Sequence, residues 1–168
     1  LGTGHTVMCA ADKFAGYEGS IIVLCGDSPL IRPETIAELI EFHEREGASC
    51  TVMTMEPADP TGYGRIVRAD NGNGGVTAIV EQKDCSPGQL KIRECNSGVY
   101  CFNAPALLER LGRLTTNNAQ GEYYLTDILG LMVADGLKVE GYVVEDDSEC
   151  LGINSRRQLA FATKVAQE

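Results

Sequence analysis

Apolar and polar positions along this chain alternate between two spacings, which predict strands and helices in turn. Five consecutive apolar residues from Ile21 to Cys25 are typical of a buried strand. The segment that begins at Pro33 places apolar residues at helical spacing and is followed by Gly47, a typical helix end. A second apolar run over 48–55 predicts another strand. This strand–helix–strand order indicates an α/β fold with a mostly parallel sheet flanked by helices.

The middle of the chain predicts a β-hairpin. The alternating pattern of 65–68 and the apolar run 76–80 predict two strands that flank the glycine-rich turn 70–75. These glycines also fit a nucleotide-binding loop, but such loops open a helix, whereas a strand follows here. The hairpin is therefore the favoured interpretation.

The remaining elements follow from local signals at both ends of the chain. Asn103 is expected to cap a helix that follows a strand at 97–102. A helix over 122–134 should end at Gly136. The other expected elements are a loop at Gly2-Thr3-Gly4, a short helix over 5–15, a strand at 139–144 and an amphipathic helix from Ser155 onward.

Composition narrows the class of protein. The 168 residues and an apolar content of 43% suit one soluble domain. The net charge of -10 argues against partnership with nucleic acid or an anionic membrane, because both attract basic patches. No run reaches the roughly 18 apolar residues of a membrane span. Seven cysteines without a C-x-x-C pair indicate reduced thiols and a cytoplasmic location, and two distant histidines give a zinc site little support.

Asp27 is the leading candidate for a metal ligand. The buried run 21–25 leads through Gly26 directly to this carboxylate. Ligands of open α/β sheets bind beyond the carboxyl ends of the strands, where an acid can hold a cation beside bound phosphate. The alternative is an aspartate that opens a tight turn before Pro29.

Three other loops that follow predicted strands or precede predicted helices carry glycine or paired charges, at 2–4, 60–65 and 80–84. Glycine lets backbone N–H groups approach a ligand, and a neighbouring threonine adds a hydroxyl. Each loop alone also fits an ordinary turn, and Glu81 with Lys83 fits a solvated surface pair.

Taken together and in order, these motifs resemble a known family. They are LGTGH at 1–5, CGDSPL at 25–30, DPTGYGRI at 59–66, VEQKD at 80–84, NSG at 96–98, TNNAQGEYYLTD at 116–127 and GIN at 152–154. The set resembles the uridylyltransferase domain of the bacterial bifunctional GlmU family, the N-acetylglucosamine-1-phosphate uridyltransferases that also carry a glucosamine-1-phosphate acetyltransferase domain. The run at 117–127 discriminates best, because related sugar nucleotidyltransferases share the Gly-Asp strand end but generally differ there.

The resemblance implies a Rossmann-like nucleotide-diphospho-sugar transferase fold. It implies that UTP and N-acetylglucosamine 1-phosphate react to give UDP-N-acetylglucosamine and pyrophosphate, with Mg²⁺ as cofactor. Implied nucleotide-binding residues are Gly2, Thr3, Cys25, Gly26 and Asp27, of which Asp27 also carries the catalytic role. Implied sugar-binding residues are Gly64, Glu81, Asn96 and Asn154, and the implied Mg²⁺ ligands are Asp27 and Asn154.

Several points stay open beside these implied roles. Asn96 also fits a turn residue at a strand start, and Asn154 also fits the N-cap of the last helix. Arg65 and Lys83 could add positive charge near phosphate, but we expect both on a solvated face. Cys25 stands where relatives often carry a larger polar residue, which leaves its contact open.

The family pattern also has parts that this sequence does not show. These are the first strand with its phosphate-cradling loop and basic residues, and the C-terminal β-helix through which the parent protein is expected to form a homotrimer. We therefore expect 1–168 to be a partial uridylyltransferase domain, without the first strand–loop–helix unit and with little turnover by itself. The alternatives are another sugar-1-phosphate nucleotidyltransferase, for example one that uses thymidine triphosphate, or a non-catalytic remnant that binds sugar nucleotides.

Overall fold

The computed structural model describes residues 1–69, 74–153 and 155–165, apart from the side chains of 157, 161 and 165. Its helices are α1 (Gly2–Ala10), α2 (Pro33–Glu46), α3 (Ala104–Leu111), α4 (Asp127–Ala134) and α5 (Arg156–Val165). Its strands are β1 (Ser20–Val23), β2 (Cys50–Met55), β3 (Arg65–Arg68), β4 (Val76–Val80), β5 (Cys95–Asn103) and β6 (Val139–Val143). Short 3₁₀ helices cover Ala11–Phe14, Gln82–Asp84, Gln89–Lys91 and Asp147–Cys150.

The strands form one mixed sheet around β5. The sheet order is β4-β3-β5-β2-β6, and β1 pairs with β5 as well. Strands β2 and β6 pair in parallel, whereas β5 is antiparallel to β1, β2 and β3. The α/β class and the flanking helices are confirmed, but the expectation of a mostly parallel sheet is wrong. Strands β1 and β2 do run in the same direction, yet β5 is inserted between them in the opposite direction.

Elements with strong local signals form as predicted. Helix α2 has Pro33 in its first turn and ends at Gly47, whose φ of 59° is left-handed. The Asn103 side chain caps α3 by accepting a hydrogen bond from the Ala106 N–H at 3.1 Å. Strands β3 and β4 form the predicted hairpin, with Arg65 opposite Val80. The turn residues 70–73 lie outside the described residues.

Two of the differences from the predicted element boundaries share one physical reason. Gly2-Thr3-Gly4 forms the first turn of α1 rather than a loop, and the helix expected over 122–134 begins only at Asp127. The backbones of the two segments bind each other, since Gly4 N–H donates to the Tyr123 carbonyl at 2.8 Å. A long-range pairing thus replaces the local helical bonds at residues 122–126.

Both faces of the sheet are buried. Alternate residues of β2 and β5 pack into two hydrophobic clusters, Val52 and Phe102 into one and Met53 and Val99 into the other. Helices α3 and α4 cover the first face, and α2 covers the second through Leu39. Burial on both faces explains why these strands read as continuous apolar runs. Among the helices of the described ranges, none is long and apolar enough to cross a membrane.

His43 predicts a pH dependence of stability. It lies on α2, is only 4% exposed, and its Nδ1 is 2.9 Å from the Thr51 hydroxyl oxygen. Burial lowers the pKa of His43, and the nearby Glu44 only partly opposes this. The native state therefore binds fewer protons than the unfolded state just below the usual histidine pKa of about 6.5, so the His43 contribution to stability falls as the pH drops through that range.

We expect the free energy of unfolding to decrease less steeply between pH 7.5 and 5.5 in His43→Gln than in the wild-type chain. Urea denaturation at several pH values measures the slopes. The variant His5→Gln leaves the His43–Thr51 pair intact and should keep the wild-type slope. Equal slopes for His43→Gln and the wild-type chain would contradict the assignment.

Candidate active site

A cavity of about 660 Å³ opens beyond the end of β1. Residues from α1, from the loop after β1, from the segment before β3, from the end of β4 and from β5 line it together. Of the residues implied by the family resemblance, those that line it are Thr3, Cys25, Gly26, Asp27, Gly64, Glu81 and Asn96. Gly2 is not among the lining residues, and Asn154 lies outside the described part of the chain. Segments far apart in sequence thus converge on one cavity.

Strand register brings Gly64, Glu81 and Asn96 side by side. Arg65 pairs with Val80 on β4 and with Cys95 on β5. Because both pairings are antiparallel, Gly64, which precedes Arg65, lies in one row with Glu81 and Asn96, which follow Val80 and Cys95. The Asn96 N–H donates to the Gly64 carbonyl at 2.9 Å, which confirms that row. A Cβ on Gly64 would lie 3.5 Å from Glu81 Oε2 and 3.6 Å from Asn96 Cβ. The missing side chain of Gly64 therefore leaves space between the other two residues.

Glu81 is a half-buried acceptor. Thr126 Oγ1 donates to its Oε1 at 3.3 Å. Burial raises the pKa of Glu81, and the charges of Asp127 and Asp84 raise it further against the hydrogen bond from Thr126. Lys83, the partner in a surface pair, instead donates from Nζ to Gln120 Oε1 at 2.9 Å. The Glu81 carboxyl is therefore held by the cavity wall.

Asn96 has the turn role that the sequence left open. Its Oδ1 accepts from the Gly98 N–H at 2.9 Å, which is the geometry of an Asx turn, and its Nδ2 donates to the Tyr100 hydroxyl at 2.7 Å. Tyr100 is buried, and burial raises its phenol pKa strongly. The neutral phenol accepts from Asn96 and keeps its own proton available for donation. The cavity is lined by Tyr100 as well.

Asp27 lies at the exposed rim of the cavity, in a turn. The alternative expected Asp27 to open a turn before Pro29. Instead, the Ser28 N–H donates to the Cys25 carbonyl at 3.3 Å, which places Asp27 at the third position of a turn that Cys25 opens. The Ile153 N–H donates to the Asp27 carbonyl at 2.8 Å. This bond fixes segment 151–153, the residues before Asn154 in sequence, against the Asp27 loop.

The donor set on this rim fits Mg²⁺ bound together with phosphate. Mg²⁺ in such sites uses one or two protein carboxylates and completes its shell with phosphate oxygens and water. Asp27 supplies a carboxylate at the cavity wall. Within the described ranges, no group of three or more histidines, cysteines or acids could hold a metal on its own. An ion here would therefore depend on a phosphate ligand for much of its coordination.

Cys25 closes the cavity on the β5 side. Its Sγ donates to the Gly98 carbonyl at 3.4 Å, and a Cβ on Gly98 would lie only 2.8 Å from that sulfur. Burial raises the pKa of Cys25, and the Asp27 carboxylate raises it further. Gly98 also has a φ of 83°, a conformation that favours glycine. Cys25 is thus a protonated packing residue with little thiolate character.

Gly2 and Thr3 do not form a free loop; they pack against the segment 118–126. A Cβ on Gly2 would lie 2.6 Å from the Tyr123 carbonyl oxygen, and the φ of Gly2 is 81°. Thr3 Oγ1 accepts from the Leu125 N–H at 3.1 Å, which leaves the hydroxyl proton for another acceptor. Close backbone packing explains why position 2 requires glycine.

Comparison with known proteins identifies the family. The sequence model of the protein family described as nucleotidyl transferase matches residues 1–148 of this chain. The chain belongs to the nucleotidyl transferase family. It is similar to the bifunctional GlmU proteins of Pelobacter propionicus (45% identity over 165 residues), Clostridium acetobutylicum (47% over 168) and Corynebacterium diphtheriae (50% over 167). These matches cover 98%, 100% and 99% of the chain. The chain spans 35%, 36% and 34% of those relatives' length.

Solved structures of this nucleotidyl transferase type share the fold. A UDP-glucose pyrophosphorylase complexed with UDP-glucose matches with a TM-score of 0.72 at 16% identity, over 99% of this chain and 62% of that chain. A nucleoside-diphosphate-sugar pyrophosphorylase from Vibrio cholerae RC9 matches with a TM-score of 0.59 at 19% identity, over 85% and 57%. At these identities the likeness shows the nucleotidyl transferase fold.

Sequence reasoning missed part of the nucleotidyl transferase cavity. Tyr100 lies within an apolar run, where its hydroxyl gave no separate signal. Arg65 was expected on a solvated face, but it is only 3% exposed, so that expectation is wrong. The alternating pattern of 65–68 could not show that the hairpin end is covered by segments distant in sequence. Lys83, by contrast, is exposed as expected.

The half-buried carboxyl of Glu81 is expected to lower the free energy of unfolding at neutral and higher pH. Its raised pKa means that the native state binds more protons than the unfolded state, so its contribution to stability is lost as the pH rises above the ordinary glutamate pKa of about 4.3. We expect Glu81→Gln to unfold with a larger free energy than the wild-type chain at pH 8, with a difference that narrows toward pH 4.5. Chemical denaturation across this range measures it. The exposed Glu41→Gln is the control, and the same pH trend in both variants would refute the assignment.

Proposed function

We propose that this chain is the part of a sugar-1-phosphate uridylyltransferase that holds N-acetylglucosamine 1-phosphate and the uridine nucleotide. The reaction joins UTP to the sugar phosphate and releases UDP-N-acetylglucosamine and pyrophosphate. The observation that carries the proposal is the single cavity lined by Thr3, Asp27, Gly64, Glu81 and Asn96. The identity of 45–50% to GlmU proteins over nearly the whole chain supports it.

The two ends of the cavity suit the two parts of this product. On the first side, Thr3 and the Cys25–Asp27 turn present a hydroxyl and backbone groups to a nucleotide. On the second side, the row of Gly64, Glu81 and Asn96 offers acceptors and a gap of suitable size beside a sugar ring. Tyr100 also lines the cavity and adds a hydroxyl donor.

The residues would act by positioning rather than by proton transfer. A sugar phosphate is already an anionic nucleophile, so no general base is required to activate it. When bound, Mg²⁺ would supply neutralisation of phosphate charge, and Asp27 with Asn154 would hold it. Glu81 would fix the sugar by accepting from its hydroxyls, and the Asp27 loop would fix the nucleotide phosphates against segment 151–153.

The proposal also includes the cellular location, the class of ligand and the assembly of the parent protein. A cytoplasmic location accords with seven free thiols, all within the described residues. The charge of -10 favours small phosphorylated ligands bound with a cation over nucleic acid or membrane partners. A homotrimeric parent protein and low turnover by the 168-residue chain alone remain predictions from the family resemblance.

Calorimetric titration of the chain with UDP-N-acetylglucosamine tests the proposal directly. We expect binding that strengthens with Mg²⁺, and an Asp27→Asn variant that loses the Mg²⁺ enhancement because a neutral amide is a weaker ligand for this ion. We expect the affinity of Asp27→Asn for UDP-N-acetylglucosamine in the presence of Mg²⁺ to be about tenfold lower than that of the wild-type chain. UDP-glucose and thymidine diphosphate-glucose serve as competitors. Tighter binding of the thymidine nucleotide would favour the alternative nucleotidyltransferase, and the absence of binding to any sugar nucleotide would overturn the proposal.

A pyrophosphate-release assay with UTP and N-acetylglucosamine 1-phosphate tests the turnover of the chain. We expect release close to the uncatalysed background, while product binding is retained. Release at the rate of an intact family member would contradict the prediction of low turnover and leave the binding roles in place.

Gly64→Ala tests the sugar side. The added methyl group would lie 3.1 Å from Ile79 Cγ2 and would enter the gap beside Glu81. We expect about tenfold weaker binding of UDP-N-acetylglucosamine, because a methyl group misplaced in a pocket costs about 1–3 kcal/mol. Binding of UDP should be unchanged. Gly112→Ala is the matched control, since a Cβ there meets open space and the φ of Gly112 is -69°.

A further inference from the structure

Arg65 is a buried cation for which the proposed chemistry gives no role. Its side chain is 3% exposed, and its Nε is buried without a hydrogen-bond partner within the described ranges. The ion pairs found in the described part of the chain do not include Arg65. The Asp59 carboxylate interacts with Arg65 electrostatically, but it is exposed and forms no close ion pair with it. Burying a charge without a close ion pair is costly, and an apolar side chain of similar size often gives equal or higher stability. Stability alone therefore does not account for an arginine at this position.

The contacts of Arg65 all lead to one wall of the cavity. Its Nη1 donates to the Tyr63 carbonyl, and its Nη2 lies 3.5 Å from Gln82 Oε1. The same Gln82 oxygen accepts from the Gly62 N–H at 2.5 Å. The guanidinium and Gln82 thus hold both residues that precede Gly64. Gly62, Tyr63 and Gly64 all line the cavity.

Strand register places Arg65 directly behind the sugar-side row. It pairs with Val80 and Cys95, the residues immediately before Glu81 and Asn96. Because side chains alternate between the faces of a sheet, Arg65 projects away from the cavity while its backbone is joined to the row. It can act on a ligand only through the segment 62–64.

We propose that Arg65 is a positioning residue that fixes segment 62–64 against Glu81 and so sets the width of the sugar side. The role rests on the proposed function, because the sugar phosphate is the ligand whose binding it controls. The planar guanidinium reaches two acceptors at once, which a lysine ammonium on a flexible stem does not reproduce. A lysine at position 65 would keep the charge and loosen the wall.

The chain offers a second buried arginine, Arg110, as a control. It is 7% exposed, its Nε is also buried without a partner among the described residues, and its Nη1 donates to the Ala106 carbonyl at 2.9 Å. Unlike Arg65, it forms an ion pair, from Nη2 to Asp135 at 2.7 Å. It lies on α3 and does not line the cavity. Arg110→Lys therefore reports what the same substitution does to a buried arginine elsewhere.

Calorimetry on the whole chain compares Arg65→Lys, Arg65→Met and Arg110→Lys with the wild-type protein. For both Arg65 variants we expect about tenfold weaker binding of UDP-N-acetylglucosamine, an effect typical of a small displacement at a binding site. Their affinity for UDP should stay within about twofold of the wild-type value, and Arg110→Lys should change neither. Arg65→Met should unfold at a denaturant concentration close to that of the wild-type chain, which separates positioning from loss of structure.

Equal losses of affinity for UDP and UDP-N-acetylglucosamine, or no loss for either, would overturn the role of Arg65. Hydrogen exchange of the amides of 62–64 gives a second test that needs no ligand. We expect faster exchange in Arg65→Lys than in Arg110→Lys, and equal rates would overturn the inference. If the wild-type chain binds no sugar nucleotide, the proposed function fails, and the exchange rates still show separately whether Arg65 fixes this segment.

Discussion

The register of β5 against its three partners is the constraint on which the cavity depends. At one end, Cys95 lies opposite Arg65 and Met55, and at the other, residues 100–103 pair with β1. Because β1 leads to the Asp27 turn and β3 follows Gly64, this one strand fixes the separation of the two cavity sides. A slip of one residue would move Asn96 to the opposite face of the sheet and break the row with Gly64 and Glu81. Its burial on both faces makes that slip costly.

Local signals in the sequence were sufficient for much of the fold. Pro33 and Gly47 delimit α2, and Asn103 caps α3, because such effects involve residues three or four positions apart. The direction of β5 could not be predicted in this way. Nothing within residues 95–103 shows that a strand from the second half of the chain is inserted between β1 and β2. The choice of partner depends on both buried faces at once, which single-sequence periodicity does not report.

The residues of the candidate site were harder to predict from physical reasoning on the sequence than from the family resemblance. Asp27 could be singled out physically, since a buried run delivers it to a strand end. Glu81 and Asn96 had ordinary surface and turn explanations until the register placed them beside Gly64. Tyr100 and Arg65 carried no local signal, because their environment consists of residues distant in sequence. Prediction therefore failed where a side chain's role depends on strand pairing.

The segment 118–126 explains why the longest family motif belongs to the cavity although few of its residues line it. On one side it binds the N-terminal turn, through Thr3 Oγ1 to the Leu125 N–H and through Gly4 to Tyr123. On the other side Thr126 donates to Glu81, while Asp84 accepts from the Ala119 N–H at 2.9 Å. Each such bond contributes only about 1 kcal/mol. The residues of 118–126 are therefore restricted by the need to bind both neighbours at once, rather than by any single contact.

Asn118 gives this segment a defined shape of its own. Its Oδ1 accepts from the N–H groups of Gln120 and Glu122, and its Nδ2 donates to the Glu122 carbonyl at 2.6 Å. A segment that is internally bonded transmits the position of one end to the other, because it cannot bend without losing these contacts. The Thr3 side and the Glu81 side of the cavity are therefore linked through this one bonded segment.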